Sequence, residues 1–356
     1  RRGRILAATM DVQPDPIVVA RELLARVWAQ EGCGGASYAD APVALAGGYD
    51  TAIFAFRLLG VDAPWGAPLI LRLFRDGFGD QPRIEYAIQN AVADAGYPCP
   101  RALLAGGDHR IAGRSYMVME RCEGRSLLEF VQHLGPKTLR VTPTLAEAQA
   151  RLHALDASPL RAGMRDHGMA DDDLHRMSFG AEYMATQAAI DALAHPVLVA
   201  AFAWLRDRRP APGGDVVCHG DLHPGNVVLA GDGSYRVIDW TLARFAEAEY
   251  DVARTSLLLA HAPVTDALVS GPGRLFVRFG RRLLGYRYRR LYRARHVLDD
   301  ERLRWYEAWV ALRAIAFAIT AQSTDVWRDQ AVIDGLMRAV ERAAGQAFGP
   351  APVLAG

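Results

Sequence analysis

The sequence predicts an α+β protein in two unequal parts, a small sheet with a helix over residues 11–121 and a mostly helical remainder over 122–348. Three observations predict this class. Apolar strand-like runs crowd the first part: "VALAGGYDTAIFAFRLL" (43–59), "APLILRLF" (67–74) and "SYMVME" (115–120). From about residue 124 onward the apolar spacing turns helical, as in "SLLEFVQHL" and "TLAEAQARLHAL". A chain of 356 residues that is 51% hydrophobic, with 41 basic and 40 acidic residues, has the composition and length of a globular two-lobed protein.

Taken in order, the first part opens with a helix at 17–29, passes through the strand runs, and carries a helix at 83–95 closed by "GYPCPR". The second part adds helices up to residue 156 and a polar insertion near "DDDLHRM". Its clear strands are one short pair, "VVL" (227–229) and "YRVIDW" (235–240), which the turn-rich "AGDGS" joins as a β-hairpin. Helices are expected from Asp251 to the end. The longest apolar run, "AWVALRAIAFAIT" (308–320), is too short for a membrane span and carries Arg313 at its centre, so it reads as a buried helix.

Composition excludes several function classes. Basic and acidic residues nearly cancel, so neither nucleic acid nor a membrane surface is an expected partner. The four cysteines, at 33, 99, 122 and 218, show no disulfide or metal-ligand spacing, and with no export signal the expected compartment is the cytoplasm. "GRLFVRFGRRLLGYRYRRLYRARH" (273–296) interleaves nine arginines with aromatics, a pattern that binds nucleic acid in other settings. Leu275, Phe279, Leu283, Tyr286 and Arg290 nonetheless recur at helical spacing, which gives the aromatics a core to fill. Lysine occurs once, at Lys137, so 40 of the 41 basic residues are arginine and a fixed cation must come from arginine. A Walker-type phosphate loop, which requires Gly-Lys, is therefore excluded.

The chemistry concentrates in "CHGDLHPGNVVL" (218–229). If the hairpin sets Leu229 opposite Tyr235, Asn226 and Asp239 come to the same end of a ribbon, with Asp221 on the loop just before it. Hard oxygen ligands at two positions suit Mg2+ and a nucleotide phosphate tail, and the remaining aspartate is left to take a hydroxyl proton. "HGDLHPGN" followed by "VIDW" resembles the aminoglycoside phosphotransferase and choline kinase-like family of small-molecule kinases. A metallophosphoesterase also uses a Gly-Asp-x-His element, but the further Asp, His and Asn-His elements it needs are not found in the sequence.

The resemblance implies a two-lobed protein-kinase-like fold, with a small antiparallel-sheet N-terminal lobe and a mostly helical C-terminal lobe. "LAGGYDTAIFAF" is similar to the hairpin that covers the nucleotide, with Gly47 and Gly48 letting backbone approach phosphate. "LILR" falls where such kinases place the strand bearing a phosphate-binding lysine. Alternation puts Ile70 and Arg72 on one face, Ile70 to cover the base and Arg72 to reach the phosphates, with Glu85 as its carboxylate partner. The backbone around Glu120 and Cys122 is implied to bind adenine. Asp221 is implied as the catalytic base, and Asn226 and Asp239 as the metal ligands. His219 is expected to hold the loop by bonding backbone, and His223 either lines the acceptor side or caps the turn.

Two departures from the family pattern stand out. Arg72 replaces the usual lysine, keeping the charge with a bulkier fork. After "VIDW", where Gly-Asp-Pro-x-Tyr-Asp is common, the register reads Ala246, Glu247, Ala248, Glu249, Tyr250, Asp251. The implied activity is transfer of the γ-phosphoryl of ATP or GTP to a hydroxyl of a small molecule such as an antibiotic, sugar or amino alcohol. A catalytically silent nucleotide-binding protein of the same fold is the alternative. A polycationic acceptor would call for strong acidity, and the sequence offers only a mild acidic run, "DDD" (Asp171, Asp172 and Asp173), plus Glu307, with Asp171, Asp172 and Glu307 the candidates to face the acceptor. Residues 256–342 hold 15 arginines against 9 acidic residues, which favours a neutral or anionic acceptor.

Overall fold

The computed structural model of the protein describes residues 14–31, 34–45, 51–75, 77, 79–132, 136–261, 273–320 and 329–354. They divide into two compact units, one drawn from 1–124, 160–171 and 230–241, the other from 125–159, 172–229 and 242–356. In the first unit, α1 (Pro16–Glu31) precedes β1 (Ser37–Leu45), β2 (Thr51–Leu59) and β3 (Leu69–Phe74); then come α2 (Gln81–Asp94), β4 (Ala102–Ile111) and β5 (Arg114–Glu120). The five strands form one antiparallel sheet in the order β1-β2-β3-β5-β4.

The period of two in β3 gives that sheet its two faces. Leu69, Leu71 and Leu73 are fully buried in a core with Val19, Leu23 and Val27, which recur every four residues along α1. The alternate residues Ile70 and Phe74 belong to a second cluster with Ala102, Met117 and Met119. Arg72 lies between them in register, its guanidinium 5.1 Å from the centroid of the Phe74 ring. The predicted sharing of a face by Ile70 and Arg72 therefore matches the packing. On α2, the buried side chains of Gln89 and Asn90 donate to the carbonyls of Pro100 at 2.8 Å and Ala102 at 3.0 Å, anchoring the segment that leads into β4.

β4 is a strand the sequence does not announce. "ALLAGGDHRI" has two adjacent glycines and no sustained alternation, yet it pairs with β5 from Ala102↔Met119 to Ile111↔Arg114 with register shifts between. The predicted turn at Gly47 and Gly48 falls outside the described residues.

The remainder runs β6 (Arg125–Ser126), α3 (Leu127–Gln132), α4 (Val141–His153), α5 (Ala157–Asp166), α6 (Asp171–Arg176), α7 (Phe179–Leu193), α8 (Pro196–Asp207), β7 (Val216–Cys218), β8 (Val227–Leu229), β9 (Tyr235–Val237), β10 (Arg244–Ala246), α9 (Ala248–His261), α10 (Gly273–Arg293), α11 (Asp300–Ile319) and α12 (Gln330–Ala344). Of these, β9 lies within the first unit, as do the residues of α5 from Leu160 onward. The second unit is mostly helical. Ser178, Asp299 and Asp329 cap α7, α11 and α12, each side chain accepting from a backbone N–H of the first turn.

Two expectations about this part are corrected. The pair at 227–229 and 235–240 does not account for all its strands: β7 pairs antiparallel with β10, Cys218 facing Arg244, and β6 pairs with β8. Pieces of two or three residues carry too short a pattern to read. On α10, Leu283 and Tyr286 do not fill the core but are 55% and 59% exposed, while Tyr288 and Tyr292 are fully buried. The buried tyrosines carry hydroxyls with partners on α4, Gln149 for Tyr288 and His153 for Tyr292, and this polar pairing selects the face. No helix among the described residues is long and apolar enough to cross a membrane.

Candidate active site

The segment between β7 and β8 is a rigidly anchored loop, and its anchor is Asp251 on α9. This carboxylate is fully buried and accepts from two successive backbone N–H groups, His219 to Oδ2 at 2.9 Å and Gly220 to Oδ1 at 2.9 Å. Its far side meets His153 Nε2 at 3.1 Å, and His153 Nδ1 meets the Tyr292 hydroxyl at 2.6 Å. Burial pushes the Asp251 pKa up, but the hydrogen bond and charge of His153, with Gln149 and His219, outweigh it and bring it down to about 2. A second anchor is Thr255, one turn on, whose hydroxyl donates to the Leu222 carbonyl at 2.9 Å. Gly220 has φ +76°, and a Cβ there would sit far inside van der Waals contact with the Leu242 carbonyl, so only glycine fits.

Within this frame the loop arranges its own polar groups. His219 Nδ1 accepts from the backbone N–H of Asp221 at 3.2 Å, the loop-holding role expected of it. His223 Nδ1 accepts from the N–H of Gly225 at 3.0 Å, capping the turn. That fixes the ring proton on Nε2, which lies 3.5 Å from Asp221 Oδ2. Asn226 Nδ2 points back at Asp221, 3.0 Å from its carbonyl and 3.3 Å from Oδ2, so Oδ1 forms the other end of the amide. Asp221 is therefore brought together with Asn226 and His223. Burial raises its pKa, but the hydrogen bond from His223, with the charge of Arg254, holds it below the ordinary carboxylate value, so it is ionised at neutral pH.

In the first unit, Arg72 is buried in an ion pair with Glu85 of α2 and lies 3.3 Å from Asp239 Oδ1. Glu85 is fully buried; its Oε1 accepts from the Trp240 N–H at 3.1 Å and its Oε2 lies 2.9 Å from the Thr241 hydroxyl. That hydroxyl also lies 2.7 Å from Asp239 Oδ1. Burial raises the Glu85 pKa, against Arg72 and Thr241, which lower it. The expected pairing of Arg72 with Glu85 is present. The contact of Arg72 with Asp239 is an addition that the sequence reading did not make. Asp239 has φ +67°, a left-handed conformation that a non-glycine residue adopts at a cost of about 1 kcal/mol, and its side chain is 40% exposed.

At the end of β5 the Glu120 N–H donates to the Arg101 carbonyl at 2.9 Å, and its carboxylate accepts from the Arg101 N–H at 3.0 Å. Cys122 is half-buried, its thiol pKa pushed up to about 11 by burial. Of the acidic residues expected at the acceptor, Asp171 pairs with Arg165 at 2.7 Å, Asp172 is exposed, and Glu307 pairs with Arg289. The partners of Asp171 and Glu307 are arginines outside the 218–229 loop. Glu247, at the position of the family's aspartate, accepts from the Gly213 N–H and the Tyr306 hydroxyl. The sequence reading missed Thr241, Thr255, His153 and Tyr292; the signal for Thr255 was its spacing of four residues from Asp251 on one helix face.

His153, Cys218 and Asp251 have ligand atoms within 4.8 Å of one another, the sole such group among the described residues. Burial holds the Cys218 thiol well above its ordinary pKa, and Asp251 is already committed to backbone donors, so the cluster suits support of the loop and not a metal.

The chain is similar in structure to a Ralstonia eutropha protein provisionally described as an aminoglycoside phosphotransferase (TM-score 0.57, 18% identity, covering 91% of this chain and 94% of that one). It is also similar to a Plasmodium vivax ethanolamine kinase (TM-score 0.51, 13% identity, covering 89% and 86%). Identities this low bear on the fold, which is the two-lobed kinase-like one. In sequence, acyl-CoA dehydrogenase family member 11 of Rattus norvegicus is 27% identical over 181 residues, 49% of this chain and only 22% of the length of that protein. The phosphotransferase enzyme family model (APH) matches residues 43–292, a span that includes Arg72, Glu85, Asp221, Asn226, Asp239 and Asp251, and the chain belongs to that family.

Proposed function

We propose that the protein transfers the γ-phosphoryl group of ATP or GTP to a hydroxyl of a small molecule, with Asp221 as the catalytic base. The observation that carries this is the setting of Asp221, an ionised carboxylate in a loop fixed by Asp251, with Asn226 and His223 orienting its oxygens. In the step itself, the acceptor oxygen forms a bond to the γ-phosphorus, the bond to the β–γ bridging oxygen breaks, and Asp221 takes the hydroxyl proton. Arg72, oriented by Glu85, steadies the phosphates, and Ile70 with the backbone at Glu120 and Cys122 receives the base.

Asn226 and Asp239 are the ligands proposed for Mg2+. The donor set fits, because both offer hard oxygens and Asn226 turns its nitrogen toward Asp221. The ion, when bound, neutralises charge on the phosphate oxygens.

The similar kinases act on unlike acceptors by name, so the fold leaves the acceptor to experiment. A panel of aminoglycosides, amino alcohols, sugars and hydroxy acids, with a hydroxyacyl-coenzyme A included because the matched curated relative is named for acyl-CoA, is incubated with ATP and magnesium and read by product mass. The expected result is a mass gain of one phosphoryl group on at least one acceptor. Saturable nucleotide binding with no phosphorylated product across the panel would favour the catalytically silent alternative.

A further inference from the structure

The second unit holds a charged cluster that the roles above do not use. Glu182 on α7 is buried, and its carboxylate oxygens lie 3.0 Å from Arg244 Nη1 and 2.6 Å from Arg313 Nε. The fully buried ring of Tyr250 is flanked by two guanidinium groups, Arg244 at 5.6 Å and Arg254 at 5.9 Å from its centroid. Three arginines thus gather about one carboxylate. The Nε atoms of both Arg244 and Arg254 are buried without a hydrogen-bond partner. Unmet donors of this kind cost free energy unless a ligand or water satisfies them.

The crowding shows in the charges. Burial lowers the Arg313 pKa, Glu182 opposes that, and Arg254 and Arg244 lower it further by repulsion. Arg254 is the neighbour on α9 of Thr255, whose hydroxyl donates to the Leu222 carbonyl at 2.9 Å, so the helix places this cation beside the loop that carries the proposed base, and the Arg254 and Asp221 charges stabilise each other. Arg244 and Arg313 keep 11% and 25% of their side-chain surface exposed, and Arg254 is half-buried, so each arginine retains part of its surface in solvent.

We propose that Arg254, with Arg244 and Arg313, forms an anion-binding subsite for the acceptor, so that the molecule phosphorylated carries a carboxylate or phosphate group besides its hydroxyl. The inference rests on Asp221 being the base, and it disfavours a polycationic acceptor.

The test does not depend on turnover. Inorganic phosphate is titrated at ionic strength held constant with sodium chloride, and the thermal midpoint is followed in the wild type and in Arg254→Gln, with a parallel titration of AMP-PNP and magnesium. The wild type is expected to show a saturable rise with phosphate beyond chloride alone. In Arg254→Gln the half-saturating phosphate concentration rises at least about tenfold while that for AMP-PNP changes less than about twofold. Should Arg254→Gln not fold, Arg254→Lys keeps a charge without the fork and is expected to raise it about threefold or more. No phosphate response in the wild type, or an equal response in a folded variant, overturns the subsite. AMP-PNP binding without an Arg254-dependent phosphate response overturns the subsite alone. The converse pattern supports the subsite and overturns the phosphotransferase reading.

Discussion

At the scale of single residues, Asp251 shows how a carboxylate outside the chemistry shapes the site. It holds two backbone N–H groups of the 218–229 loop and is itself held by His153. Its pKa lies at about 2 against an ordinary 3.8. A depressed carboxylate contributes stability above its unfolded pKa and loses it as pH falls toward its folded one, here between about pH 4 and pH 2. The full contribution is on the order of 2 kcal/mol. Asp251→Asn does not titrate, so the stability gap between wild type and variant, read by urea unfolding, is expected to shrink by about 1–2 kcal/mol from pH 5 to pH 2.5. A gap that stays constant over that range would show that the Asp251 charge is not the anchor. Asp251 was legible in the sequence as a retained family position; its partner His153, and Tyr292 behind His153, were not, because a buried hydrogen-bond chain across α4, α9 and α10 leaves no local pattern.

At the scale of elements, the loop between β7 and β8 depends on backbone geometry as much as on side chains. Gly220→Ala must accommodate φ +76° and displace the Leu242 carbonyl, at an expected cost of at least about 2 kcal/mol. Gly231→Ala, in a turn where an added Cβ meets nothing within 4 Å, is expected to change stability by less than about 0.5 kcal/mol. Comparison of the two urea midpoints checks both; equal midpoints would contradict the tight fit at Gly220. Elements with a long apolar period were readable in advance: β3 with its leucine face, α4, and the apolar α11. β4 and the short strands β6, β7 and β10 were not, because glycine pairs and three-residue pieces carry no period. On α10 the helix was legible and its buried face was not, since hydropathy ranks an exposed leucine above a buried tyrosine whose hydroxyl finds a partner.

At the scale of the whole molecule, the chain visits its two units in alternation, so residues far apart in sequence serve one unit. Arg72, Glu85 and Asp239 lie in the first, Asp221, Asn226 and Asp251 in the second. Membership of the phosphotransferase family was legible because it is carried by short motifs, "HGDLHPGN" and "VIDW". The acceptor was not, because the arginines proposed to receive it, Arg244, Arg254 and Arg313, lie on β10, α9 and α11 with no motif of their own. Near-exclusive use of arginine, 40 of 41 basic residues, gives this chain forks where lysine would supply point charges, at Arg72 and in the cluster around Glu182. The most direct measurement compares the steady-state rate of phosphorylated product in the wild type and Asp221→Asn, with the acceptor the mass screen identifies. With Asp221 as the base, kcat falls at least about 100-fold while the KM for nucleotide stays within about threefold. A folded Asp221→Asn whose kcat remains within about threefold of the wild type would contradict that role.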